Sequence, residues 1–255
     1  DGVVAVSQPD AIRDVFTGAP DVMFAGPAND MLEPVVGPGS LLLLDGERHM
    51  RERKLLLPPF HGERMHRYDE IMRELSEREI ERWPTGVPFP VHPPMQSITL
   101  DVILRTVFGV EGREMDELRS ALTTFTNGFN ALNMIPAFRV DLGPRSPWGR
   151  FLRHRAAVDA RLYDAIRARR AAPPSARDDI MTLLLSARYE DGAAMTDQEL
   201  RDELMTLLAA GHETSATALP WAFHFLARNP RVQERAREAA QSGGEQPYLD
   251  GVVKE

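Results

Sequence analysis

"LLAAGHETSATALPW", residues 207–221, lies inside an otherwise apolar run that reads as one long helix. Glycine, glutamate and threonine stand together at its middle, although glycine alone costs a helix interior about 1 kcal/mol against alanine. Such a patch persists where something requires it. Gly211 removes a side chain where a bulky group can approach the backbone, and Ala209 and Ala210 keep the preceding turn low. Thr214 falls three residues on, on nearly the same face. Its hydroxyl bonds back to the Ala210 carbonyl or, where the turn is bulged, holds a water or a ligand oxygen. Taken singly, each residue also has a plain reading: close helix packing for Gly211, a solvated or ion-paired side chain for Glu213, back-bonding for Thr214. His212-Glu213 opens an H-E-x-x-H zinc pattern, but Ala216 stands where the second histidine belongs, which argues against zinc.

The helix holding this patch is delimited on both sides. Thr196 and Glu199 form a capping box, and Asn229-Pro230 is a stop, so the helix covers residues 197–228 and spans roughly 48 Å at about 1.5 Å per residue. A membrane-spanning reading of residues 204–226 would put His212 and Glu213 at the bilayer centre, at a cost of several kcal/mol, so the helix belongs to a protein core. Helical periodicity recurs at 47–57, 64–82, 95–108, 114–129, 147–171, 179–187 and 230–240. Residues 2–7 and 87–91 are strand-like, and Ser7 with Asp10 is expected to cap a helix through about Thr17. Residues 18–45 form a Gly- and Pro-rich connection far longer than the usual 4 to 6 or so. "QPYLDGVVKE", 246–255, starts as a helix with proline in its first turn and shows no stop signal, so the sequence is expected to break off inside a helix.

Composition limits the function classes. Lys plus Arg is 30 against 38 for Asp plus Glu, and this negative balance argues against a general affinity for nucleic acid phosphates. Cysteine is absent, which removes disulfides, thiolate nucleophiles and cysteine-ligated metals from these residues. No basic segment followed by an apolar one opens the chain as a signal peptide does, and a cytoplasmic location is expected.

Three segments in order resemble one family. "AGHETS", 210–215, resembles the [AG]-G-x-[DE]-T-[TS] signature in the long I helix of the cytochrome P450 family. "DGERHMRERKLLLPPF", 45–60, is similar to the C-helix segment of its soluble bacterial members, with His49 and Arg53 at the positions of the heme-propionate contacts. "YLDGVVKE", 248–255, resembles the start of the K helix, where Glu255 would open the structural E-x-x-R motif. Histidine and arginine at i and i+4 share a helix face, and a guanidinium grips a carboxylate through two parallel hydrogen bonds. Arg48, Arg51 and Lys54 read as either a docking patch for an acidic redox partner or a solvated face.

The resemblance implies a mainly α fold with a small β portion in one domain over residues 1–255, incomplete at both ends. It implies a heme b (iron) cofactor and insertion of one oxygen atom of O2 into a small apolar organic substrate, with electrons from a ferredoxin or flavoprotein donor. Ala210 and Gly211 would leave room beside the cofactor, Thr214 would steady the oxygen species, and Glu213 would relay protons. Residues 18–45 fall at the family's B-to-C region and 129–148 at its F-to-G region, and Met23, Phe24, Met31 and Leu132 are the candidate substrate contacts. The family's axial cysteine lies in a Gly-rich loop beyond the K helix, and no metal ligand of that kind is present here. The chain is therefore expected to be an internal piece of a monooxygenase, continuing with an arginine three residues after Glu255 and a later cysteine. Two alternatives stand beside this: a truncated relative that binds an apolar ligand or heme without catalysis, and a cofactor-free helical interaction module.

Overall fold

The computed structural model describes residues 4–19, 22–62, 64–128, 133, 135–172, 177–242 and 246–254. In chain order the helices are α1 (Pro9–Thr17), the short α2 (Gly26–Asn29) and α3 (Glu33–Val36), α4 (Gly46–Leu56), α5 (Arg64–Ile80), α6 (His92–Thr106) and α7 (Gly112–Gly128). They continue with α8 (Pro147–Ala171), α9 (Ile180–Ser186), α10 (Asp197–Arg228), α11 (Pro230–Ser242) and α12 (Gln246–Lys254). No helix among the described residues is long and apolar enough to cross a membrane.

The expected β portion does not form among the described residues: residues 4–7 and 87–91 carry no regular structure, and Val4 is 84% exposed. A strand is stable only beside another that satisfies its backbone, and neither run has such a neighbour here. The cap expected for α1 is also different. Gln8 is the N-cap and makes no side-chain bond, Pro9 stands at the first position, where a missing N–H costs the helix nothing, and Asp10 pairs with Arg13.

α10 is the axis of the molecule. Its capping box forms as the sequence demands: Thr196 Oγ1 accepts from the Glu199 N–H at 3.2 Å, and Glu199 Oε2 accepts from the Thr196 N–H at 2.7 Å. Residues 200–206 are buried all round, with Leu200, Leu204 and Met205 in the apolar core. The principal neighbour of α10 is α6, whose Ile103 and Leu104 are buried beside it. α7 and α8 pack as a second pair around Phe125 and Phe151, whose ring centroids lie 5.4 Å apart, with Trp148 stacked on Phe151 at 5.0 Å.

The long connection 18–45 is held down against α10 rather than free. Arg201 Nη1 donates to the Val36 carbonyl at 3.0 Å, Asp202 Oδ2 accepts from the Gly39 N–H at 2.9 Å, and Glu203 Oε1 accepts from the Leu41 N–H at 2.9 Å. Ser40 and Thr206 share a 2.6 Å hydrogen bond. Gly37 has φ +93°, and a Cβ there would fall 2.1 Å from Asp202 Oδ1, so only glycine fits this approach. Asp45 closes the segment by accepting from the Ala25 and Gly26 N–H groups at 3.0 and 3.1 Å.

Candidate functional site

The polar patch is part of a continuous α-helix. α10 passes through residues 207–221 without a bulge and retains helical structure even at Pro220. Thr214 Oγ1 donates back to the Ala210 carbonyl, so its hydroxyl is satisfied within the helix while the residue stays exposed. Ala210 and Glu213 are exposed on the same stretch. The side chain missing at Gly211 leaves space that Ile103 takes: a Cβ would meet Ile103 Cδ1 at 3.3 Å. Gly211 thus serves the crossing of α6 and α10, and its place in a cofactor pocket is carried by resemblance alone.

His212, which the sequence reading treated only as a failed zinc ligand, turns inward. It is buried, and its Nδ1 lies 2.9 Å from Thr99 Oγ1 on α6. Burial holds its imidazole below the ordinary histidine range, with Glu213 opposing and His92 adding to that shift, and so favours the neutral ring.

On α4, geometry separates the basic residues. Arg51 pairs with Asp191 at 3.0 Å and lies over the Tyr189 ring, 3.9 Å from its centroid, while Lys54 pairs with Glu190 at 2.7 Å. The basic face expected at 51 and 54 is therefore largely neutralised by the turn at 189–191. His49 and Arg53, one helical turn apart, make no side-chain hydrogen bond or ion pair among the described residues. No hydrogen bond or ion pair joins either of them to residues 210–214.

Between α10, α7, α6 and the segment ending in α3 lies a cleft of about 420 Å³, walled by Leu32, Val35, Phe125, Met205 and Ala209 with Gln96, Asn127, His212 and Glu213 as polar members. Met23, Phe24 and Met31 do not line it and are exposed, because the segment turns its α3 valines, not residues 23–31, toward α10. Leu132 and Glu255 lie outside the described residues. The sequence reading gave no pocket role to the cleft residues Leu32, Val35, Phe125 and His212, whose signals were apolar positions in and beside α3 and near the end of α7, and a histidine on an otherwise apolar helix face.

Beside the cleft, α10 carries three consecutive charged residues into the interior. Glu203 is fully buried, and burial with neighbouring Glu52 raises its carboxyl to about 8, against the pull of the Leu41 N–H. By distance and angle its second oxygen has no hydrogen-bond partner among the described residues, although Thr206 also pulls the carboxyl down. Asp202 is likewise raised by burial, opposed by the Gly39 N–H and Arg201. Glu52 of α4 is raised by burial while accepting from the Tyr189 hydroxyl at 2.8 Å.

The model of the family described as Cytochrome P450 matches residues 1–255. The chain belongs to the cytochrome P450 family. "Putative cytochrome P450 138" of Mycobacterium tuberculosis is 42% identical over 243 residues, covering 95% of this chain and 55% of that protein. "Putative cytochrome P450 135B1" of Mycobacterium bovis is 40% identical over 260 residues, covering 99% of this chain and 55% of its own length. Among solved structures, the retinoic-acid-bound cyanobacterial CYP120A1 superposes with a TM-score of 0.82 at 27% identity, over 97% of this chain and 57% of that one. The chain thus spans about half the length of the P450 relatives it matches, and within that half its mainly helical architecture is the P450 one. Members of the family bind heme, and the chain's own residues offer that group a suitable donor set. Arg53 and His49 carry guanidinium and imidazole donors one turn apart on α4 with no ion pair to a carboxylate among the described residues, a set that would fit a pair of propionates.

Proposed function

We propose that the protein is a heme-thiolate monooxygenase that inserts one oxygen atom of O2 into a small apolar organic substrate. The observation carrying this reading is the pairing of the A-G-x-E-T-S stretch, exposed at 210 and 213–215 on α10, with His49 and Arg53 on α4, unpartnered among the described residues, in a chain whose family match covers residues 1–255. Heme, when bound, supplies the activation of dioxygen. The chain's residues do the rest: Arg53 and His49 hold the propionates, Ala210 keeps the helix surface low, and Glu213 and Thr214 hold and pass a proton at their carboxylate and hydroxyl oxygens. The largely apolar cleft wall favours an apolar substrate, and the bound retinoic acid of CYP120A1 shows that a relative takes a molecule with a long apolar body. A ferredoxin or flavoprotein electron donor and a cytoplasmic location belong to the same reading.

The test is heme retention in the full-length protein. Arg53→Ala should lower heme content, read by absorbance after gel filtration, well below that of Arg51→Ala, because Arg51 is already occupied by Asp191 and Tyr189. Equal heme content in the two variants removes Arg53 from the propionate site. The 255 residues contain no cysteine, so on their own they should show no thiolate-type red-shifted Soret band when reduced under carbon monoxide.

A further inference from the structure

His212 is buried, yet among the described residues only one of its two ring nitrogens has a hydrogen-bond partner. Nδ1 faces Thr99 Oγ1 at 2.9 Å, and that hydroxyl has its own helix carbonyls in reach, Met95 at 3.0 Å and Gln96 at 3.3 Å. A threonine hydroxyl carries one proton. With that proton directed to the carbonyls of α6, the Thr99 oxygen accepts, and His212 Nδ1 carries the hydrogen. A neutral imidazole protonated at Nδ1 presents a bare lone pair at Nε2. Nε2 has no hydrogen-bond partner among the described residues and stands 3.9 Å from Glu213 Oε2, and both residues are part of the cleft wall.

We propose that His212 is a recognition residue whose Nε2 accepts a hydrogen bond from a hydroxyl group on an apolar molecule seated in the cleft. Three features select that chemistry. The wall contributed by Leu32, Val35, Phe125 and Met205 takes an apolar body. The bare Nε2 accepts from a donor, so a hydroxyl makes a hydrogen bond there that an ether or ketone cannot. The Glu213 carboxylate beside it repels an anion, so a carboxylate at this position is disfavoured. Lowering of the His212 pKa by burial keeps the ring in the accepting, neutral form. The proposal deepens the oxygenase reading by naming a polar group on its substrate, and it rests on that reading only for the word substrate.

Binding without turnover tests it in the full-length protein, with dodecan-1-ol, its methyl ether and dodecanoate as probes in calorimetric titrations. The alcohol should bind about tenfold tighter than the ether and tighter than the carboxylate. In His212→Phe, which fills the space without an acceptor, alcohol and ether should bind alike. Thr99→Val removes the acceptor that holds the Nδ1 hydrogen, and should shrink the alcohol preference even if His212→Phe does not fold. Nitrogen-15 NMR of labelled histidine reads the premise directly: at neutral pH His212 should show a protonated Nδ1 and an unprotonated Nε2, and Thr99→Val should shift it toward the Nε2–H form. A native ring protonated at Nε2, no binding of any probe, equal binding of alcohol and ether, or a preference that persists in His212→Phe each overturns the proposal. None of these readouts uses oxygen chemistry, so failure of the monooxygenase reading leaves them intact.

Discussion

Thr214 spends its hydroxyl proton on the Ala210 carbonyl, and this one bond sets what a substitution there can do. Loss of an exposed, self-satisfied hydroxyl moves stability by only about 0.5 kcal/mol, and alanine is the better helix former. Under the oxygenase reading, Thr214→Ala in the heme-loaded protein should keep its heme and fold while product per reducing equivalent falls and hydrogen peroxide rises. The rate should drop by about 10² or more, the range for loss of positioned proton delivery. Thr214→Ser should restore coupling, since it retains the hydroxyl. Glu213→Gln should slow turnover with less peroxide, because it preserves shape and removes the titrating group. Wild-type coupling in Thr214→Ala removes the residue from the site.

Glu203 makes the opposite kind of prediction, about stability and not chemistry. Its folded pKa of about 8 lies above the ordinary 4.5, so between those values the folded state holds a proton that the unfolded state has released. Stability therefore falls as pH rises through that window, by about 1.4 kcal/mol per pH unit from this group, and levels off above it. Glu203→Gln cannot ionise. Its stability relative to wild type, from urea unfolding, should be similar near the acid end of the window and clearly higher near its alkaline end. A difference that does not change with pH means that Glu203 is ionised in the fold.

At the scale of elements, most helices were legible because their signals are local. The capping box at Thr196, the stop at Asn229-Pro230 and the apolar period of 3.6 act between residues a few positions apart, and the sequence boundaries of α8 and α10 match the folded ones. The α1 cap was misread because serine and aspartate at capping spacing also fit a helix begun by proline at residue 9. The expected β portion is not seen among the described residues, since strand propensity is not strand formation, which needs a partner.

The crossing of α6 and α10 was only half legible: Gly211 read as room for a ligand or as close packing of another helix, and the fold sets Ile103 of α6 against it. Gly211→Ala gains about 1 kcal/mol of helix propensity and loses it again by crowding Ile103. Ile103→Val relieves the crowding at its own cost of about 0.5 to 1.5 kcal/mol. The double variant should therefore be more stable than the sum of the single changes, with a favourable coupling of about 0.5 kcal/mol or more in a denaturation cycle. Simple additivity would show that the two side chains do not compete for one space.

Across the whole molecule, Arg201 joins segments that the chain keeps far apart. It is 2% exposed and reaches the Val36 carbonyl at 3.0 Å, Asp159 of α8 at 2.7 Å and Asp202 at 3.0 Å. Arg201→Met leaves buried Asp202 without its ion-pair partner and Asp159 with only the more distant Arg155, and should cost about 3 to 5 kcal/mol in urea unfolding. Arg201→Lys should recover little of it, since a single ammonium cannot span three acceptors in different directions. Near-native stability of the methionine variant would show that the ion pairs merely offset their own desolvation.

The sequence alone determined which stretches become the longer helices, that α10 carries a polar patch at its middle, and that the chain resembles the cytochrome P450 family, since each depends on neighbours along the chain or on short ordered motifs. Only the tertiary structure decided which polar groups are buried and what each faces. Asp202 meets Gly39, 163 positions away, and His212 meets Thr99, 113 positions away, and no local pattern encodes such pairs. The three charges at 201–203 become interior groups because the segment from 36 to 41 closes over them and supplies backbone partners. Desolvation, which depends on everything packed around a group and not on its sequence neighbours, is the quantity that periodicity cannot report.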